Sequence, residues 1–191
     1  YDNYTLVKYL KRNKPNFFIK NFKHPNLDNG ILNTLNIGLN EPNNILLTGP
    51  NAGGKSTCIK SLCLAVVFAQ TLSIACCEKM YLTPFNYINT YINIYDIKGE
   101  KSLFENEMQR ISNHIEKLDT MNKNEFSFII IDELFSGTNP KEGIASSYAI
   151  AEQLGTYTNS ISIITTHYNY LSKLSNYENY KMEMHRNNNN N

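Results

Sequence analysis

The chain of 191 residues contains no tryptophan and only four cysteines, Cys58, Cys63, Cys76 and Cys77. No two of them form a C-x-x-C pair, and no histidine cluster completes a zinc pattern, so a metal-stapled or disulfide-stapled fold is excluded. Buried, reduced thiols are the expectation, and with them an intracellular location. A charged-then-apolar N-terminus of the secretory kind is missing. The longest apolar stretch, Leu62 to Ala75, is interrupted by Gln70, Thr71 and Ser73 and is too short and too polar to span a bilayer. Charge of one sign is also lacking. The formal net charge is +1, so no global field draws the chain onto nucleic acid or a membrane surface. No internal repeat occurs.

What is present points to one globular unit. Hydrophobic residues make up 41% and charged residues 18%, a balance that buries a core and does not fit a disordered tail. The first 30 residues read as a partly irregular, polar lead-in with an apolar island at Phe17-Phe18-Ile19. Lysines 8, 11, 14, 20 and 23 make this segment basic, in the manner of a solvated face. Residues 31–180 read as the main domain, and 181–191 as an Asn-rich, disordered tail. The first residue is Tyr1 and not Met, as in an excerpt from a longer protein.

Within the main domain, strand and helix patterns alternate. Leu35 to Leu39 alternates in polarity, and Ile45-Leu46-Leu47 is a compact apolar run ending at Gly49-Pro50. Ser56 to about Cys77 is helical in period, as is Leu103 to Leu118, with Phe104, Met108, Ile111, Ile115 and Leu118 on one face. Tyr87 to Tyr95 is β-rich. Phe126 to Ile131 and Ile161 to Thr165 are continuous apolar runs, which predicts strands buried on both faces. A helix over Gly143 to Leu154 stops at Gly155, and a short one begins around Leu171. The order predicts an α/β fold with a mostly parallel sheet flanked by helices, with chemistry just after Leu47, Ile131 and Thr165.

Those three strand ends carry the informative residues. Gly49-Pro50-Asn51-Ala52-Gly53-Gly54-Lys55-Ser56 satisfies G-x-x-x-x-G-K-[ST], between an apolar strand and a periodic helix. Glycines let the backbone turn its N–H groups inward on phosphate oxygens, and the helix start adds its positive end. Lys55 is placed for the β- and γ-phosphates, and the Ser56 hydroxyl for Mg²⁺. At the next strand end, Asp132 is suited to hold Mg²⁺ and Glu133 to orient or deprotonate a water. Thr165-Thr166-His167 closes the third, where the His167 imidazole can donate to a γ-phosphate. Ser136-Gly137-Thr138-Asn139-Pro140 reads as a tight exposed turn, a plain connection or a loop that crosses to a partner subunit.

Taken together, these residues resemble the MutS family of DNA mismatch-repair ATPases. LLTGPNAGGKST, Leu46 to Thr57, is similar to that family's phosphate loop, with Ala52 where Met is usual. SLFENEM, Ser102 to Met108, resembles its Ser-Thr-Phe…Glu-Met signature. IIIDELFSGTNPKEG, Ile129 to Gly143, resembles the acidic strand and its loop, with Gly-Thr-Asn-Pro for the usual Gly-Thr-Ser-Thr. TTHY, Thr165 to Tyr168, matches the histidine switch, and His24-Pro25 a His-Pro ahead of the phosphate loop. The family's adenine-stacking aromatic has no clear counterpart, and the basic residue expected around Ile94-Tyr95-Asp96 is missing. The matches run in the family's order over about residues 20 to 175.

The resemblance implies a P-loop NTPase of the ABC-ATPase type that binds and hydrolyses ATP with Mg²⁺. It places Gly49, Pro50, Asn51, Ala52, Gly53, Gly54, Lys55, Ser56 and Thr57 on the nucleotide. Ser56 and Asp132 fall on the metal, and Glu133 and His167 in catalysis. It implies a homodimer or heterodimer joined through the ATPase face, with Ser102 reaching the nucleotide of the opposite subunit. DNA, mismatched or branched, would be contacted by domains outside this chain. Two other readings stay open: another ABC-type ATPase, although the transporter signature Leu-Ser-Gly-Gly-Gln is absent, and an ATP-dependent assembly module with little turnover.

Overall fold

In the computed structural model, residues 4–38, 42–50, 53–92 and 103–183 are described. The strands are β1 (Thr5–Leu6), β2 (Lys8–Tyr9), β3 (Phe17–Phe22), β4 (Asn33–Ile37), β5 (Asn44–Thr48), β6 (Ile74–Ala75), β7 (Lys79–Leu82), β8 (Tyr87–Tyr91), β9 (Ser127–Asp132), β10 (Ser160–Thr165) and β11 (Glu178–Lys181). Three helices, α1 (Lys55–Leu72), α2 (Leu103–Thr120) and α3 (Pro140–Leu154), and a 3₁₀ turn at Asn169–Lys173 complete the described elements.

A five-stranded sheet in the order β11-β5-β10-β9-β8 forms the centre. Every pairing in it is parallel. Parallel strands need crossovers that cover both faces, and the inner strands accordingly bury every other residue in each direction. Ile45, Leu47, Phe128, Ile130, Ile161 and Ile163 turn to one face, where α1 lays down Ile59, Leu62, Val66 and Ala69. Leu46, Ile129, Ile131 and Ile164 turn to the other, under α2 and α3. Each fully buried Ile or Phe contributes about 1.5–3 kcal/mol.

A second sheet, β2-β7-β3-β4, shares the α1-side core through Phe17, Ile19, Phe22, Leu35 and Ile37. Its β3 is antiparallel to both neighbours. Within the first 30 residues, β1, β2 and β3 thus join the folded body, while 10–16 and 23–32 carry no regular structure. β1 pairs with β6 in a separate two-stranded ribbon.

Several boundaries differ from the sequence pattern for local reasons. Helix α1 stops at Leu72 and not near Cys77, because Ser73 adopts the left-handed conformation (φ 60) and returns its N–H to the Ala69 carbonyl. Helix α3 starts three residues before Gly143. Asn139 caps it by accepting the Lys141 N–H, and Pro140 occupies the first turn. Gly155 ends α3 with an ordinary right-handed φ of −65, so no glycine-specific conformation stops this helix. On α2 the buried residues are Glu107, Ile111, His114 and Leu118, whereas Phe104, Met108 and Ile115 are only partly buried. All four cysteines are free. Burial pushes the Cys58 thiol up to about 11 and Cys77 to about 12, which keeps both protonated and inert. No described helix is long and apolar enough to cross a membrane.

Candidate active site

Three strands deliver the site. Thr165 at the end of β10 pairs with Leu47 of β5 on one side and with Asp132 of β9 on the other. The carboxyl ends of the three strands therefore stand level and adjacent. An open parallel sheet binds its ligands at this edge.

After β5 the chain turns sharply. Gly49 has φ 152 and Gly54 φ 86, and the Gly53 N–H returns to the Pro50 carbonyl at 3.0 Å. Gly49 is needed for space as well. A Cβ there would stand 2.9 Å from the Met182 Cβ, on the segment that follows β11. Gly54 at the start of α1 makes no side-chain cap and no acid sits in the first turn, so among the described residues of that turn no side chain offsets its positive end. Lys55 is 4% exposed. Its Nζ donates to the Gly49 carbonyl at 2.9 Å and the Pro50 carbonyl at 3.3 Å, and lies 3.3 Å from Glu133 Oε1. Ser56 is half-buried and Thr57 exposed.

After β9 the chain makes a second unusual turn. Glu133 and Phe135 both take positive φ, 51 and 55. Neither is glycine, so each conformation costs on the order of 1 kcal/mol and has to be held by its surroundings. The holding contacts are explicit. The Glu133 N–H donates to the Thr165 carbonyl at 3.2 Å and to Thr165 Oγ1 at 3.1 Å. Thr165 Oγ1 donates onward to Asp132 Oδ1 at 2.7 Å. Ser147 Oγ donates to the Leu134 carbonyl, and Tyr168 Oη to the Phe135 carbonyl.

After β10 the Thr166 N–H donates to the Leu47 carbonyl, and Thr166 Oγ1 accepts from the Tyr168 N–H. His167 between them is exposed, its ring 4.3 Å from that of Tyr168. The Tyr168 phenol is pushed up by burial and by the neighbouring Glu107 and Glu133, so it stays a neutral donor.

Of the residues singled out by sequence, Gly49, Pro50, Gly53, Gly54, Lys55, Ser56, Thr57, Asp132, Glu133 and His167 lie along this edge. Asn51, Ala52 and Ser102 lie outside the described residues, as do Ile94, Tyr95 and Asp96. Sequence reading missed a cavity of about 530 Å³ beside the loop, lined by His24, Leu27, Ile31, Thr57, Lys181 and Met182 among others. The signal for its far wall was weak, because β11 reads Glu-Asn-Tyr-Lys and has no apolar pattern.

A family profile for MutS domain V matches residues 45–191. The chain belongs to the MutS family. It is 32% identical over 163 residues to DNA mismatch repair protein MSH3 of Vanderwaltozyma polyspora, covering 82% of this chain and 15% of that protein. To DNA mismatch repair protein MSH6 of Saccharomyces cerevisiae it is 32% identical over 161 residues, 80% of this chain and 13% of that one. Endonuclease MutS2 of Streptococcus uberis is 34% identical over 172 residues, 87% of this chain and 21% of its own length. This MutS domain V therefore spans a small part of the relatives it matches.

Proposed function

We propose that this chain is an ATP-binding and ATP-hydrolysing domain of a MutS-like protein, a P-loop NTPase of the ABC type acting as a dimeric nucleotide switch. Residues 31–180 would make up most of it, completed by the strands of the first 30 residues, in a protein located inside the cell. The observation that carries this reading is the meeting of the Lys55 ammonium and the Glu133 carboxylate at 3.3 Å, between an uncapped helix start and Asp132. A buried lysine at a helix N-terminus is chemistry for a polyphosphate. A carboxylate facing the same point is chemistry for a water.

The residues also fit Mg²⁺. Among the described residues, no three His, Cys, Asp or Glu side chains group to hold a metal by themselves. A cation here would arrive with phosphate oxygens, which suits a hard ion held by few protein groups. Ser56 and Asp132 are those groups, and Asp132 Oδ1 is already fixed by Thr165. Bound Mg²⁺ would supply charge neutralisation to the phosphates. The protein's own part is to cradle phosphate with the loop amides and Lys55, to hold a water with Glu133, and to meet the γ-phosphate with His167.

The partner is a second subunit, identical or related. Each would present Ser102 to the nucleotide of the other, so that one subunit alone is incomplete. DNA repair is what the names of two relatives state. Here DNA contact is assigned to parts of the protein beyond this domain, with ATP closing and reopening the dimer to control it. The test is ATP turnover against protein concentration, with and without duplex and branched DNA. Turnover rising more steeply than linearly is expected, and linear turnover would refute the dimer. Stable ATP binding with no turnover at any concentration would leave only an assembly module. Mixing Ser102→Ala with Lys55→Ala subunits should leave one of the two composite sites intact, and its activity identifies which subunit supplies Ser102.

A further inference from the structure

Helix α2 begins one residue beyond Ser102, and its first turns lie against the turn that carries Glu133. A Cβ on Gly137 would stand 3.0 Å from Leu103 Cδ2. The rings of Phe104 and Phe135 lie 4.9 Å apart, tilted by 43°. One turn further, Glu107 is 5% exposed, on a face it shares with Ile111 and Leu118. Its carboxylate faces the backbone N–H of Phe135 and the Tyr91 hydroxyl, a buried group that makes no hydrogen bond among the described residues.

A buried acid on an apolar helix face is costly unless it satisfies donors that would otherwise be stranded. Glu107 brings an acceptor to a backbone N–H in a left-handed residue, two positions after Glu133. Ser147 and Tyr168 hold the carbonyls of the same turn from α3 and the β10 side. Those two fix the turn to the body of the domain. Glu107 alone among the three fixes it to the helix that opens beside Ser102.

We propose that Glu107 is a positioning residue that ties the head of α2 to the Glu133 turn, so that the segment facing a partner subunit and the water-orienting carboxylate move as one piece. The inference rests on the reading of Glu133 as the group acting on water. It predicts that the contribution of Glu107 depends on an oxygen acceptor and not on charge or bulk. Glutamine keeps an acceptor oxygen. Leucine keeps the volume and loses the acceptor.

The experiment compares Glu107→Gln, Glu107→Leu and Glu107→Ala in the full chain, measuring ATP turnover, ATP affinity and amide hydrogen exchange over residues 133–138. Leucine and alanine are expected to lower turnover about tenfold or more, the scale of a misplaced catalytic group, with ATP affinity changed by less than about twofold. Exchange in the turn should quicken in both, and glutamine should restore turnover and protection together. Leucine serves if alanine does not fold. Unchanged exchange in the leucine variant would overturn the tie. Equal losses in leucine and glutamine would show that charge matters and overturn it too, and loss of affinity in step with turnover would mark a merely structural role. If the unmutated chain turns over no ATP, the reading of Glu133 fails, and the exchange contrast between leucine and glutamine decides on the tie by itself.

Discussion

Thr165 stands level with Asp132 across the β9–β10 pairing, and its hydroxyl donates to Asp132 Oδ1 at 2.7 Å. That hydroxyl also accepts from the Glu133 N–H at 3.1 Å. One buried threonine thus fixes a carboxylate proposed for the metal and the backbone of a carboxylate proposed for the water. Substitution by valine keeps the shape and removes only the hydroxyl. The Glu133 N–H would keep the Thr165 carbonyl as its acceptor, so the fold should survive. Asp132 would lose its orientation. Thr165→Val should therefore raise the Mg²⁺ concentration for half-maximal turnover by about tenfold or more, the usual effect of deleting a supporting hydrogen bond. A Mg²⁺ titration of turnover checks this, and an unshifted midpoint would count against Asp132 as a metal ligand.

Lys55 and Glu133 face each other but should fail differently. Lys55→Ala removes the buried ammonium that the loop carbonyls and Glu133 surround. Tight nucleotide binding should be lost, by about 100-fold or more, because the phosphate charge is left uncompensated in a partly desolvated site. Glu133→Ala leaves the loop and its lysine in place. It should bind ATP and hold it, with turnover down by about 100-fold or more, the scale of a missing general base. Equilibrium binding with a fluorescent nucleotide separates the two. Hydrolysis at the unmutated rate by Glu133→Ala would remove Glu133 from the chemistry.

Gly143 is a matter of space. Its Cβ would meet Tyr168 Oη at 2.7 Å and the Phe135 carbonyl oxygen at 2.9 Å, the two atoms that hydrogen-bond to each other across the Glu133 turn. Helix α3 approaches the turn this closely only because no side chain stands between. Gly143→Ala gains in helix propensity but forces backbone apart, and overpacking of this kind costs about 1–3 kcal/mol. Denaturant unfolding should show that loss, and a stability equal to that of the unmutated chain would mean that the turn gives way freely.

The parallel sheet was legible because its inner strands are buried on both faces and so read as unbroken Ile and Phe runs, as at Phe128-Ile129-Ile130-Ile131. The turn after β5 was legible because an apolar run ends there at Gly49-Pro50 and a periodic helix follows. The second sheet was legible mainly at β4, where Leu35 and Ile37 alternate with polar residues. Its strand β7 and the edge strand β11 of the central sheet are short and mix Lys, Glu, Tyr and Asn with their apolar residues, so no period of two emerges. Glu107 was legible only within the Ser102 to Met108 signature, and its burial, like that of His114, was missed for a related reason. A helical stripe is sought in apolar residues, and these two polar ones sit on the buried face while Phe104 and Met108 sit at its margin. What they do depends on the partners that tertiary folding brings, Phe135 and Tyr91 for the one, Asn89 and Tyr87 for the other.

His114 carries a pH prediction. It is fully buried, stacked on Tyr87, with Nδ1 accepting from Asn89 and Nε2 without a partner among the described residues. Burial lowers its pKa from an ordinary 6.5 to about 4. The unfolded chain therefore takes up a proton from about pH 6.5 downward while the folded chain stays neutral until about pH 4. Stability from this group is complete above pH 6.5 and is lost as the pH falls towards 4, by about 2 kcal/mol at pH 5 and about 3 kcal/mol at most. Other groups titrate in the same range, so the informative quantity is a difference. His114→Phe cannot take up the proton in either state and keeps an aromatic ring against Tyr87. Urea unfolding at pH 7 and pH 5 should show the unmutated chain losing about 2 kcal/mol more than the phenylalanine variant. Equal losses in the two would mean that the ring is solvated and charged in the folded state, and that α2 does not seal this face of the sheet.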